Sequence, residues 1–190
     1  MPTSVDWSGE PRRVSPLSRP ASVASFFVSR LDTAIDAQLP ADSSLRGKAA
    51  VANARDAYRR FLGRFSGPRW RALEQQGARV QRPLWASTGT KNPDYSDVLY
   101  VEELIAPHTV NTLPEATLQA VLDHAEVQAT IEPAMDEARK ALQELTMAGI
   151  DLRAVTDQLL IDGLASFDRD FQSLLDRIRA TLAPAAVGGA

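Results

Sequence analysis

Three short, almost uncharged runs, each followed by helical periodicity, limit this chain's fold more than any other feature. The first is Ala21-Ser22-Val23-Ala24-Ser25-Phe26-Phe27-Val28, the second Pro83-Leu84-Trp85-Ala86-Ser87, and the third Thr109-Val110-Asn111-Thr112. Runs of this length without charge read as strands buried on both faces of a parallel sheet. Between them Ala50, Ala54, Ala57, Phe61 and Phe65 recur at three- and four-residue steps, with Arg55, Arg59, Arg60 and Arg64 on other faces. That spacing predicts a helix, ended by Gly67-Pro68 because proline neither donates to nor fits the preceding turn. A shorter helix from Trp70 stops at Gly77, residues 95–105 read as another, and Pro114 opens the next. Strands alternating with helices in this way call for parallel pairing through crossover connections.

The last third reads as helical throughout. Met135, Ala138, Leu142 and Leu145 form one stripe ended by Gly149. Asp151 caps a second helix carrying Leu152, Val155 and Leu159 and interrupted at Gly163; Phe167, Phe171, Leu174 and Ile178 continue beyond it. Residues 1–20 hold four of the 12 prolines and no apolar period, which predicts an irregular leader. The expected layout is a leader over 1–20, a folded region over 21–182 and a frayed tail over 183–190, with no internal repeat.

Charge and composition remove several function classes. A net charge of −3 and a pI near 5.4 leave no basic face for nucleic acid. With no cysteine and only His108 and His124, thiol chemistry and a multi-histidine metal centre are not expected, and no cofactor is called for. The apolar runs are too short to span a bilayer, and the N-terminus has no secretory pattern, so a cytoplasmic location is expected.

The three strand segments also carry a family resemblance. The stretch from Val23 through Phe27, Arg30 and Asp32 to Thr33 resembles the sixth barrel strand of bacterial transaldolases. Arg82-Pro83-Leu84-Trp85-Ala86-Ser87-Thr88-Gly89-Thr90-Lys91-Asn92-Pro93 resembles the seventh strand and its loop. Thr109-Val110-Asn111-Thr112-Leu113-Pro114-Glu115 is similar to the eighth strand and the start of its helix. The resemblance runs from about residue 17 to the C-terminus. It implies an α/β fold of the (β/α)8 TIM-barrel type, of which this sequence holds the last three units plus C-terminal helices. It further implies transfer of a dihydroxyacetone unit between sugar phosphates in the non-oxidative pentose phosphate pathway. That reaction uses a lysine Schiff base and no metal.

On that resemblance Ser25, Phe27, Arg30, Ser87 and Lys91 are the candidate contacts for a sugar phosphate. Function in such barrels sits at the C-terminal strand ends. Ser25 and Phe27 share strand parity and so one face. Arg30 follows at the strand's end, where a guanidinium can hold a phosphate with two hydrogen bonds. Ser87 ends the second strand, and the turn to Lys91 offers amides and an ammonium. The plainer alternatives are a small packing serine at Ser25, a core residue at Phe27 and an exposed loop lysine at Lys91. Asn111 is expected to tie strand to loop, Trp70 and Trp85 to fill the core, and Glu102-Glu103 to be solvated. Neither histidine has a carboxylate at a spacing that would make it a base.

No position inherits the catalytic role. The Schiff-base lysine implied by the resemblance belongs to an earlier strand, and the only lysines here are Lys48, Lys91 and Lys140. Three strands cannot close a barrel, so two open edges, an uncovered apolar face and marginal stability are expected. Three readings follow: a transaldolase-family chain silent alone and needing a complementing N-terminal barrel segment; a non-catalytic module that binds sugar phosphates or self-associates; and a helical interaction protein built on the last third. None calls for nucleic acid or membrane as partner.

Overall fold

The computed structural model describes residues 20–182, so residues 1–19 of the leader expected over 1–20, and the tail expected over 183–190, lie outside the described residues. Strand β1 (Ser22–Phe27) runs almost directly into helix α1 (Ser29–Asp36), followed by α2 (Ala49–Arg64), α3 (Pro68–Glu74) and β2 (Gln81–Ala86). Then come α4 (Leu99–Glu102), β3 (Val110–Asn111), α5 (Glu115–His124), a 3₁₀ turn (Glu132–Ala134), α6 (Met135–Met147) and α7 (Leu152–Leu182). The strands lie in the order β1-β2-β3, all parallel, with Ser25 opposite Leu84 and Leu84 opposite Val110. The chain is therefore α/β, a small parallel sheet with many helices.

The core lies between one face of this sheet and the helices. Val28, Leu31, Ile35, Ala54, Tyr58, Trp85, Tyr100, Leu104 and Leu145 belong to one buried cluster. Phe26 reaches it from β1 and meets Trp85 edge to face, with ring centroids 5.8 Å apart. Trp85 is 1% exposed, and its indole N–H donates to the Leu104 carbonyl at 3.0 Å, so the one polar atom it buries is satisfied. Trp70 packs edge to face on Phe65. The opposite sheet face is open among the described residues: Val23 and Phe27 are 40% and 46% exposed. This corrects the expectation of a first strand buried on both faces.

Helix α1 follows β1 with only Val28 between them and carries no separate sequence signature. Leu31 and Ile35 are buried at helical spacing, and so are Asp32 and Asp36. Carboxylates mixed into an eight-residue stripe hide the period. Asp32 is 2% exposed, and its carboxylate accepts from the Ala50 amide (2.8 Å) and the Tyr100 hydroxyl (2.8 Å). Asp36 accepts from the Gly47 amide (3.0 Å) and the Tyr95 hydroxyl (2.7 Å). These bonds fix the start of α2, whose first-turn N–H groups and dipole favour an anion. Gly47 has φ +70° and the Tyr95 ring lies against it: an added Cβ would stand 2.8 Å from a ring carbon.

Two helices differ in length from expectation. Where 95–105 reads as a helix, only Leu99–Glu102 is helical. The preceding residues form turns instead, with the Asp94 amide donating to the Asn92 side chain and the Thr90 hydroxyl to the Ser96 carbonyl. In the last third α7 runs unbroken through Gly163, since one glycine costs a helix only about 1 kcal/mol. Its start is capped by Asp151, which accepts from the Ala154 amide at 3.0 Å.

Candidate functional site

Parallel strands direct their C-terminal ends, and the first turns of the helices that follow, to one edge of the sheet. At that edge Ser25, Phe27 and Arg30 line a single open cavity of about 310 Å³, bordered on the far side by Leu159, Leu160 and Leu164 of α7. Arg30 is the second residue of α1 rather than the end of β1, a shift of element that keeps it at the strand's mouth. Its guanidinium carbon stands 5.2 Å from the Phe27 ring centroid, a cation–π contact that holds the cation at the cavity's rim. Helix α1 has no side-chain cap at its N-terminus; its Ser29 and Leu31 amides donate instead to the Ser87 and Val28 carbonyls.

Ser87 is not among the residues lining this cavity; it pairs instead with the buried Ser29, the residue before Arg30. The two hydroxyls are 2.9 Å apart, and the Ser29 amide donates to the Ser87 carbonyl at 3.0 Å, extending the pairing of β1 and β2 past the last ladder residues. Ser87 has φ 56°, in the left-handed region that a non-glycine residue adopts only when its surroundings hold it there. Thr88 supplies part of that hold: it is fully buried, and its hydroxyl is shared between the Asn111 side-chain oxygen (2.9 Å) and the Thr112 carbonyl (3.1 Å). Asn111 thus ties strand to loop. Lys91 is exposed in the following loop and is not among the residues lining the cavity.

Two larger cavities lie elsewhere. One of about 890 Å³ sits at the N-terminal ends of β1 and β2, among Phe65, Trp70, His108 and Arg82. Another of about 640 Å³ runs between α2 and α6, bordered by Lys48, Lys140, Arg55 and Glu103. Position outweighs size here, because in open parallel sheets ligands bind outside the C-terminal strand ends.

Several polar groups near the site are structural. Burial pushes the Asp32 carboxyl up from 3.8 to about 6, against the opposing pull of the Ala50 amide and the Tyr100 hydroxyl. Burial and the Asp32 charge together push the Tyr100 phenol well above its ordinary value. Both carboxylate oxygens of Asp32 are engaged and the residue does not line the cavity, so it positions α1 against α2. Nothing local in the sequence signals this pairing, since Tyr100 lies 68 residues away. The signal that existed was Asp32 and Asp36 at the same four-residue spacing as Leu31 and Ile35.

The acidic pair expected to be solvated does other work. Glu103 pairs with the buried Arg55, and Glu102 accepts from the Glu126 amide at 2.8 Å. His124 also departs from expectation: Asp97 and Asp123 flank its ring at 3.0 and 3.2 Å, and their hydrogen bonds raise its pKa. Asp97 comes from the loop before α4, so only the fold could reveal it. Among the described residues no cluster of side chains suits a metal ion, and no helix is long and apolar enough to cross a membrane.

The sequence matches the family model described as Transaldolase/Fructose-6-phosphate aldolase over residues 12–178. Among curated relatives, it is 51% identical over 176 residues to a transaldolase of Parafrankia sp. (strain EAN1pec), covering 90% of this chain and 48% of the relative. It is 48% identical to a transaldolase of Frankia alni, covering 89% of this chain and 47% of that one. Against a transaldolase of Mycobacterium marinum the identity is 53%, over 87% of this chain and 46% of the relative. The chain spans about half the length of the curated relatives it matches.

Proposed function

Since the chain belongs to the transaldolase/fructose-6-phosphate aldolase family, we propose that it forms the last three strand–helix units of a (β/α)8 barrel and grips the phosphate end of a sugar phosphate. The observation that carries this reading is the joint position of Ser25, Phe27 and Arg30 in one cavity at the C-terminal strand ends. A phosphate there meets the Arg30 guanidinium and the Ser25 hydroxyl, both suited to a dianion. Lys91 reaches it only if its loop moves inward.

The reaction in which the chain takes part is transfer of a dihydroxyacetone unit from sedoheptulose 7-phosphate to glyceraldehyde 3-phosphate, giving erythrose 4-phosphate and fructose 6-phosphate in the cytoplasm. Its covalent step requires a lysine amine to attack the ketose carbonyl and carboxylates to move protons. No lysine lines the Ser25–Arg30 cavity, while Lys48 and Lys140 border the groove between α2 and α6. We therefore assign this chain the binding of the phosphate, and the covalent step to a complementing barrel segment.

Titration with fructose 6-phosphate tests the binding half of the proposal. Arg30→Ala should weaken affinity roughly 10- to 100-fold, the scale of a charged hydrogen-bonding group lost from a phosphate; unchanged affinity would remove the site. Borohydride reduction in the presence of the sugar should leave the chain unlabelled, and a trapped adduct would overturn the division of labour.

A further inference from the structure

The cavity of about 890 Å³ at the N-terminal ends of β1 and β2 shares no lining residue with the sugar-phosphate cavity, and its chemistry differs. One wall is aromatic. The Phe65 ring meets Trp70 edge to face with centroids 4.7 Å apart and lies 5.1 Å from Phe61, and the His108 ring stands 6.5 Å from Phe61. Trp70 and Phe61 are buried, whereas Phe65 is half-buried and His108 exposed, so the last two present ring surface to an occupant. Arg79 and Arg82 border the same space on either side of the first residue of β2. Both are exposed, and neither forms an ion pair among the described residues. Glu74 is the one carboxylate among the described lining residues, so two guanidinium groups outnumber it.

We propose that this cavity binds a nucleoside monophosphate, its base against Phe65 and His108 and its phosphate held by Arg79 and Arg82. The lining selects that occupant. An apolar segment laid over the cavity would strip water from two unpaired guanidinium groups and offer them no anion. A bare polyol finds few partners, since the Ser22 hydroxyl already accepts from the Gln81 side chain (2.8 Å) and the Ser66 hydroxyl donates to the Gly63 carbonyl (3.4 Å). A planar base gains from ring contacts, and a phosphate suits the planar fork of arginine. The volume falls within the range of small-molecule sites. The inference is independent of the sugar-phosphate reading, because Arg30 and Ser25 lie in the other cavity.

Calorimetric titration of the full chain with AMP, adenosine and ribose 5-phosphate tests both halves of the ligand. AMP should bind about 10-fold or more tightly than either fragment. The double variant Arg79→Ala/Arg82→Ala should weaken AMP roughly 10- to 100-fold and leave adenosine unchanged. Gly63 lines the cavity from α2, and an added Cβ there would meet nothing within 4 Å. Gly63→Leu therefore places a side chain in open space while favouring the helix, and it should weaken AMP and adenosine together. Arg30→Ala should leave AMP affinity unchanged. Absence of AMP binding would overturn the proposal, as would ribose 5-phosphate binding as tightly as AMP. So would a Gly63→Leu chain that binds AMP like the wild type, or loss of AMP binding in Arg30→Ala, which would put the nucleotide in the other cavity.

Discussion

At Asp32 a single carboxyl links the fold to pH. Its pKa stands near 6 in the folded chain against an ordinary 3.8, so between about pH 4 and 6 the folded state keeps a proton that the unfolded state has released. Stability contributed by this group is fully present below that window and is lost as pH rises through it, by roughly 2–3 kcal/mol for a shift of this size. Asp32→Asn can still accept from the Ala50 amide and meet the Tyr100 hydroxyl without titrating. Urea unfolding from pH 4 to 7 should show the variant gaining about that much relative to wild type; parallel profiles would mean that Asp32 does not hold its proton in the folded chain. Arg30 shows how far residue identity alone could lead. Its place at the strand mouth was legible from the segment it follows, whereas the Phe27 contact that holds it there depends on α1 beginning at Ser29.

At the scale of elements, legibility followed the length and purity of the hydrophobic pattern. Helix α2 was readable because its sixteen residues repeat apolar groups against arginines, and the three strands because uncharged runs have few other uses. Helix α1 was hidden because it is short, begins one residue after β1, and buries two carboxylates in its inner stripe. Helix α7 was divided at Gly163 because glycine weakens a helix, but weakening is not breaking. That difference can be measured. An added Cβ at Gly163 would meet nothing closer than the Arg30 guanidinium at 3.8 Å, so Gly163→Ala should stabilise a continuous helix by about 0.5–1 kcal/mol. The expected readout is higher helical ellipticity and a raised midpoint in thermal unfolding. A helix that stops at Gly163 would gain neither.

For the whole molecule, the decisive feature is that one sheet face carries the core and the other does not. The α/β class and the parallel order follow from alternation along the chain, but which face is covered depends on what surrounds the sheet, and no local pattern encodes that. Val23 looks no less apolar in sequence than Trp85, yet one stands 40% exposed on the open face and the other is sealed against helices. The cost of substitution should separate them. Trp85→Ala removes a packed ring and its hydrogen bond to Leu104, and should cost about 3–5 kcal/mol. Val23→Thr keeps the β-branch that suits a strand and should change stability by no more than about 0.5 kcal/mol if water already reaches it. Denaturant unfolding of the two variants gives the comparison. Should Val23→Thr prove as damaging as a core substitution, the open face must be covered in solution, by more of a barrel or by another chain, and the coverage would then be a condition of folding rather than a later event.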